Sequence, residues 1–106
     1  MTDWTHVCKD GELSDGQCRI VDVDDTMIAV FYKDGEYHAI QDMCTHDGGE
    51  LASGDVEGDE VICPRHGARF CIKNGRALSA PAYEDVETFP VRVEDGAVQV
   101  RDDRFD

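Results

Sequence analysis

The sequence has no long apolar run. Its longest, Met27–Tyr32, spans six residues, against roughly 20 for a helix that crosses a bilayer, so no membrane partner is expected. Behind Met1 there is neither a basic stretch nor an apolar one, so no secretory leader is expected either. Basic residues are also scarce, with ten Lys+Arg against 24 Asp+Glu and a formal charge of −14. A chain so acidic repels a phosphate backbone, which excludes nucleic acid as a partner. The same excess serves solubility, and it would draw in a basic protein surface through an attraction that fades with salt. There is no cysteine framework: the five cysteines are odd in number and include no Cys-x-x-Cys pair. That excludes a disulfide scaffold or a disulfide oxidoreductase and fits a reducing cytoplasm. Repeats, low-complexity tracts and linkers are missing too, and 106 residues accommodate one domain, 1–106. Only Arg101–Asp106 reads as a polar, fraying tail.

Helical periodicity is scarce, whereas strand signals are plentiful. Gln17–Val23, Thr26–Lys33, Glu36–Gln41, Glu60–Cys63, Ala68–Lys73, Thr88–Glu94 and Ala97–Arg101 are short and rich in β-branched and aromatic residues. Asp34-Gly35, Asn74-Gly75 and Asp95-Gly96 supply the positive φ angles of tight hairpin turns. Val91 and Val93, then Val98 and Val100, alternate with other residues as in a half-buried hairpin. The expectation is an antiparallel all-β protein. One stretch breaks the meander: Asp42–Gly58 has four glycines, no β-branched run and no Lys or Arg. It reads as an ordered acidic loop, a kind of segment that usually carries function.

That loop opens with Cys44-Thr45-His46, and after sixteen intervening residues stands Cys63-Pro64-Arg65-His66-Gly67. Each arm therefore offers one thiolate and one imidazole, and Gly48-Gly49 and Gly67 let backbone turn close to a bulky group. Four such ligands make a metal site, and tetrahedral zinc is their commoner use. Zinc fingers, however, pair Cys with Cys and His with His. Two mixed arms suit a binuclear centre better, one metal taking both thiolates and the other both imidazoles. A zinc-stapled interaction module stays open as the reading from another functional class.

The two arms resemble the Rieske [2Fe–2S] motif. The likeness continues through Phe70–Gly75 and Leu78-Ser79-Ala80-Pro81-Ala82-Tyr83, which resemble the strand, hairpin and proline loop covering the cluster in that family. The resemblance implies the Rieske fold: antiparallel sheets in a β-sandwich, with a small inserted cluster-binding subdomain. Its loops would lie at about 42–50 and 62–70, with the proline loop at 78–83. It also implies one [2Fe–2S] cluster held by Cys44 and Cys63 on the inner iron and by His46 and His66 on the outer, more exposed iron. With neutral imidazoles in place of two thiolates, the oxidised centre is neutral and gains one negative charge on reduction.

Respiratory members of the family add a cysteine to each arm, at positions equivalent to Gly49 and Arg65, and place Ser and Tyr hydroxyls where Ala68 and Phe70 stand. All four features are missing here. Without those donors, and with so acidic a chain, the potential is expected near the low end of the Rieske range, roughly −150 mV rather than about +300 mV.

Beyond the cluster ligands only His6 and His38 remain, too few for the mononuclear iron site of an oxygenase. The chain is therefore similar to the ferredoxin components of aromatic-ring-hydroxylating dioxygenase systems. The resemblance implies a cytoplasmic, monomeric electron carrier and not an enzyme, with no catalytic residues of its own. Its donor would be an NAD(P)H-dependent flavoprotein ferredoxin reductase and its acceptor a terminal oxygenase. Met43, Pro64 and Pro81 are candidate apolar docking contacts, with Asp47 and Glu50 as steering charges. A small Rieske-like subunit of nitrite reductase, or another accessory ferredoxin, is the alternative within the fold. Cys8, Cys18 and Cys71 read as ordinary buried thiols, and His6 and His38 as ordinary histidines. Trp4, Phe31, Tyr37, Phe70 and Phe89 read as core or cross-strand aromatics. Arg65, Arg69, Lys73 and Arg76 read as local charge compensation.

Overall fold

A computed structural model of the chain describes residues 4–43, 49–64, 67–80 and 84–104. Among these residues ten strands run in the order β1 Thr5–Lys9, β2 Cys18–Val23, β3 Thr26–Lys33, β4 Glu36–Gln41, β5 Val56–Glu57, β6 Glu60–Ile62, β7 Arg69–Cys71, β8 Thr88–Phe89, β9 Val91–Glu94 and β10 Ala97–Val100. Every pairing between them is antiparallel. They form three sheets, ordered β1-β10-β9, β2-β3-β4-β8 and β5-β6-β7. The last sheet is inserted in sequence between the neighbours β4 and β8. This is the all-β architecture with an inserted subdomain that the sequence implied.

The four-stranded sheet is the middle layer, and β3 shows why. Its apolar run faces both ways. Ala29 and Phe31 join Ile40, Leu51, Val61, Cys63, Ala68, Phe70, Ile72 and Val86 in a core shared with the inserted sheet. Ile28 and Val30, one step out of phase, join Val7, Cys8, Val23, Ala39, Phe89, Val98 and Val100 in a second core shared with β1 and β10. A strand buried on both faces needs a continuous apolar sequence instead of an alternating one. On β7 the alternation is clean, with Phe70 buried between half-buried Arg69 and Cys71.

Turn chemistry sets the register. Asp34-Gly35 and Asp95-Gly96 both take positive φ, 52° and 81°, 52° and 77°, closing β3–β4 and β9–β10 with two-residue loops. Asp24-Asp25, at 49° and 68°, closes β2–β3 in the same way, a turn without glycine that sequence reading passed over. Asp tolerates the left-handed region because its short side chain bonds locally; here the Asp25 amide donates to Asp22 Oδ1 at 2.9 Å. Asn74-Gly75 departs from expectation. Only Gly75 has positive φ, and the chain closes through a wider loop in which Gly75 N donates to Cys71 O and Cys71 N to Arg76 O.

Other departures have tertiary causes. β1 is held by a distant partner, β10, and β5 forms inside the stretch read as a loop by pairing with β6. The expected strand Thr88–Glu94 is divided at Pro90, which cannot donate to a ladder. Its first part pairs with β4 and its second with β10. Val93 is exposed because β9 is an edge strand. Of the expected fraying tail, residues 101–104 are ordered against the fold, and residues 105–106 lie outside the described residues. Asp102 is only 2% exposed and accepts from Arg104 Nε at 2.9 Å and Nη2 at 2.7 Å, while Arg104 Nη2 also donates to Thr26 Oγ1 at 2.9 Å. Trp4 likewise lies outside both cores, half-buried, with the Arg92 guanidinium 4.3 Å from its ring centre. Among the described residues no helix is long and apolar enough to cross a membrane.

Candidate metal centre

The inserted sheet and the end of β4 launch the two arms. The second arm leaves β6 at Cys63 and returns at Ala68. Cys63 N donates to Ala68 O at 2.7 Å, and Gly67 N donates back to Cys63 O at 3.0 Å. Gly67, at φ 75°, lets the chain double back within this short span. The turn separates two environments: Cys63 is 1% exposed inside the apolar core, whereas Pro64 and Gly67 are exposed. A thiolate at the base of such a turn faces apolar groups, as the expected inner-iron ligand requires.

The first arm is bracketed by Asp42 and Leu51. Asp42 Oδ1 accepts from Leu51 N at 2.7 Å and Ala52 N at 2.8 Å, and the Asp42 amide donates to Met27 O at 2.9 Å. Ala52 O in turn accepts from the Cys18 thiol at 3.4 Å. The turn continues through Gly54, whose amide donates to Leu51 O. Each end of the loop is thereby tied to the four-stranded sheet.

The third segment, the expected proline loop, is pinned on both flanks. Leu78 N donates to Arg69 O at 2.8 Å, Ser79 Oγ accepts from Arg69 N at 3.1 Å, and Asp85 Oδ1 accepts from Ala77 N at 2.8 Å. Gly75 and Val86 lie backbone to backbone, with Val86 N donating to Gly75 O at 2.8 Å. A Cβ on Gly75 would overlap the Val86 carbonyl.

Of the four expected ligands, Cys63 is placed as described, while Cys44, His46 and His66 lie outside the described residues. So do Asp47, Arg65, Pro81, Ala82 and Tyr83. Among the described residues no three His, Cys, Asp or Glu side chains stand together as a metal site. Met43, Pro64 and Glu50 are all exposed, as docking contacts require. Ala68 and Phe70, where hydroxyl donors would stand, are fully buried beside Cys63 in the core.

The bystanders fall into place. Cys8 and Cys18 are pushed up from ordinary thiol values by burial, which keeps them protonated and inert. Cys71 alternates away from the face of Phe70. Arg69 sits 3.6 Å from Glu57 and 3.5 Å from Glu60, and Lys73 3.7 Å from Asp34 and 3.6 Å from Asp59, so both act as charge compensation. His38 is half-buried on β4, and its Nε2 has no hydrogen-bond partner among the described residues. The residues that sequence reading missed are Asp42, Gly54 and Asp102. Only Asp42 carried a signal, as an Asp at the mouth of a glycine-rich loop, where such side chains bind nearby amides.

Residues 3–90 match the Rieske [2Fe-2S] domain model, and the chain belongs to that family. It is 39% identical over 95 residues, 89% of this chain and 90% of the relative, to the 3-phenylpropionate/cinnamic acid dioxygenase ferredoxin subunit of Photorhabdus laumondii. Among solved structures it superposes with a TM-score of 0.89 and 31% identity, over 95% of this chain and 94% of the other, on a chain of the complex of reduced oxygenase and oxidized ferredoxin in carbazole 1,9a-dioxygenase. A protein assigned as the small subunit of an NADH-dependent nitrite reductase in Mycobacterium tuberculosis superposes with a TM-score of 0.84 and 27% identity, over 96% of both chains. The protein is thus a Rieske-type [2Fe–2S] electron carrier, an electron-transfer component and not the catalytic partner. Family membership selects a [2Fe–2S] cluster over zinc.

Proposed function

We propose that the chain is a low-potential ferredoxin that takes single electrons from an NAD(P)H-dependent flavoprotein reductase and delivers them to a terminal ring-hydroxylating oxygenase. Cys44 and Cys63 bind the inner iron, and His46 and His66 the outer. The observation that carries this ligand set is Cys63, sealed in the apolar core at the base of a turn whose Pro64 and Gly67 face solvent. When bound, the cluster supplies a one-electron couple with two imidazole ligands. The chain supplies the rest. Leu51, Val61, Ala68 and Phe70, all fully buried, keep water from the thiolate side. The exposed Pro64 and Met43 offer apolar contact at the tip, and the acidic surface steers a basic partner.

The chain works as a cytoplasmic monomer, with one Rieske domain over residues 1–106. The nitrite reductase neighbour keeps one competing acceptor in view, a sirohaem protein instead of an oxygenase. The anaerobically purified chain should contain two irons and two sulfides and give a rhombic paramagnetic resonance signal on reduction. Once reduced, it should be reoxidised by a ring-hydroxylating oxygenase and not by a nitrite reductase. Preference for the nitrite reductase would move the chain to the second reading. Replacing any one of the four ligands with Ala should abolish the signal.

A further inference from the structure

The second ligand arm is closed by backbone hydrogen bonds at its base. Among the described residues, the stretch after β4 ends at Gln41 is tied to Leu51, where the chain re-enters the core, by the Asp42 side chain. Asp42 Oδ1 receives both the Leu51 and Ala52 amides, at 2.7 and 2.8 Å. The carboxylate is itself fixed, because its residue's amide is spent on Met27 O at 2.9 Å. Leu51 is fully buried in the same core as Cys63. This oxygen atom therefore ties the start of the first arm to the core that holds the second arm.

Resting on the ligand assignment above, we infer that Asp42 is a positioning residue for the cluster: its carboxylate clamps the arm's two ends at the separation that both irons require. The clamp works by geometry, as a doubly accepting oxygen at one point in space. It does not depend on Asp42 being charged. Bonds to a carboxylate are stronger than bonds to a neutral carbonyl, but an amide oxygen at the same place still accepts both.

Three variants separate these roles. Asp42→Asn keeps an acceptor at the same distance and drops the charge. Asp42→Glu keeps the charge and displaces the oxygen by one methylene. Asp42→Ala removes the acceptor. The readouts are the g-values of the reduced protein, the rate at which iron is lost to a chelator, and the thermal midpoint of each chain. The expected result is wild-type g-values and iron retention for Asp42→Asn. Asp42→Ala and Asp42→Glu should show shifted g-values and iron loss about tenfold faster, the equivalent of roughly one lost charge-assisted hydrogen bond.

A wild-type Asp42→Glu beside a defective Asp42→Asn would overturn the clamp in favour of charge. Lowered thermal midpoints with unchanged g-values and iron retention in all three would reduce Asp42 to ordinary folding. Should Asp42→Ala fail to fold, the Asn and Glu variants decide the matter by the same readouts. A wild-type protein with no iron–sulfur signal would instead remove the ligand assignment itself, and the clamp with it.

Discussion

Gly54 lies flat against the carbonyl of Ile62, so close that a Cβ added to Gly54 would overlap that oxygen. Ile62 is the residue before Cys63, and its amide is held by Asp55 O at 2.9 Å. The close approach therefore locks the first arm's exit against the second arm's root. Replacing Gly54 with Ala should push β6 outward, destabilise the chain by about 1–3 kcal/mol and lower the iron content of purified protein. Thermal melts and an iron assay check this. Full iron with an unchanged melt would mean that the contact relaxes without moving Cys63.

How much of this was legible in the chain differs by level. The Rieske family was readable because the two arms, Cys44-Thr45-His46 and Cys63-Pro64-Arg65-His66, are chemistry written locally. The hairpins at Asp34-Gly35 and Asp95-Gly96 were readable because their turn requires positive φ. Asp24-Asp25 hid the same turn behind a less usual residue pair. What stayed hidden depends on partners far away in sequence. β1 exists because β10 lies beside it, and the Pro90 break matters because two different sheets claim its two sides. Asp102 looked like tail because nothing near it in sequence shows that Thr26 and Phe89 wait for its partner Arg104, which lies 5.2 Å from the Phe89 ring centre.

Asp102 gives the protein a pH-sensitive fastening. The Arg104 side chain bonded to it holds its carboxyl below the usual carboxylate range, against the opposing effect of burial. A lowered folded-state value means that the unfolded chain takes up the proton first as pH falls. The stability from this pair is therefore fully present above about pH 4, the unfolded value. It is lost as pH drops through the lower folded value. Asp102→Asn should melt lower than wild type at pH 7, and the gap should close in acid. A gap that persists at pH 2 would show that packing, not ionisation, is what the carboxylate contributes.

Phe70 and Ala68 are expected to set the potential by what they lack. Both are fully buried in the core that contains Cys63, on the alternating face of the strand that follows the second arm. A hydroxyl there can donate to the cluster's sulfurs and stabilise the reduced, more negative state. Phe70→Tyr should raise the midpoint potential by about 60 mV, a tenfold shift for one electron, with Ala68→Ser acting in the same direction. Protein-film voltammetry measures it. An unchanged midpoint in both variants would show that neither position faces a sulfur, and a low potential, if measured, would then rest on charge alone.

Steering is the last expectation, and charge decides it. Glu50 is exposed beside the first arm, Asp47 lies within that arm, and the chain carries −14 overall. A basic face on the acceptor would be oriented by these two charges during approach, within about 10 Å at ordinary salt. Once contact is made, exposed pairs of this kind add little to affinity, so the effect belongs to the association rate. Asp47→Asn with Glu50→Gln should slow reduction of the terminal oxygenase by a fewfold at low salt. It should also flatten the dependence of that rate on ionic strength, leaving the cluster's potential and the electron-transfer rate within the complex close to wild type. Stopped-flow mixing at several salt concentrations reads both quantities. If the slope against salt is unchanged, the steering field comes from acidic residues elsewhere on the surface, and these two are ordinary solvated charges.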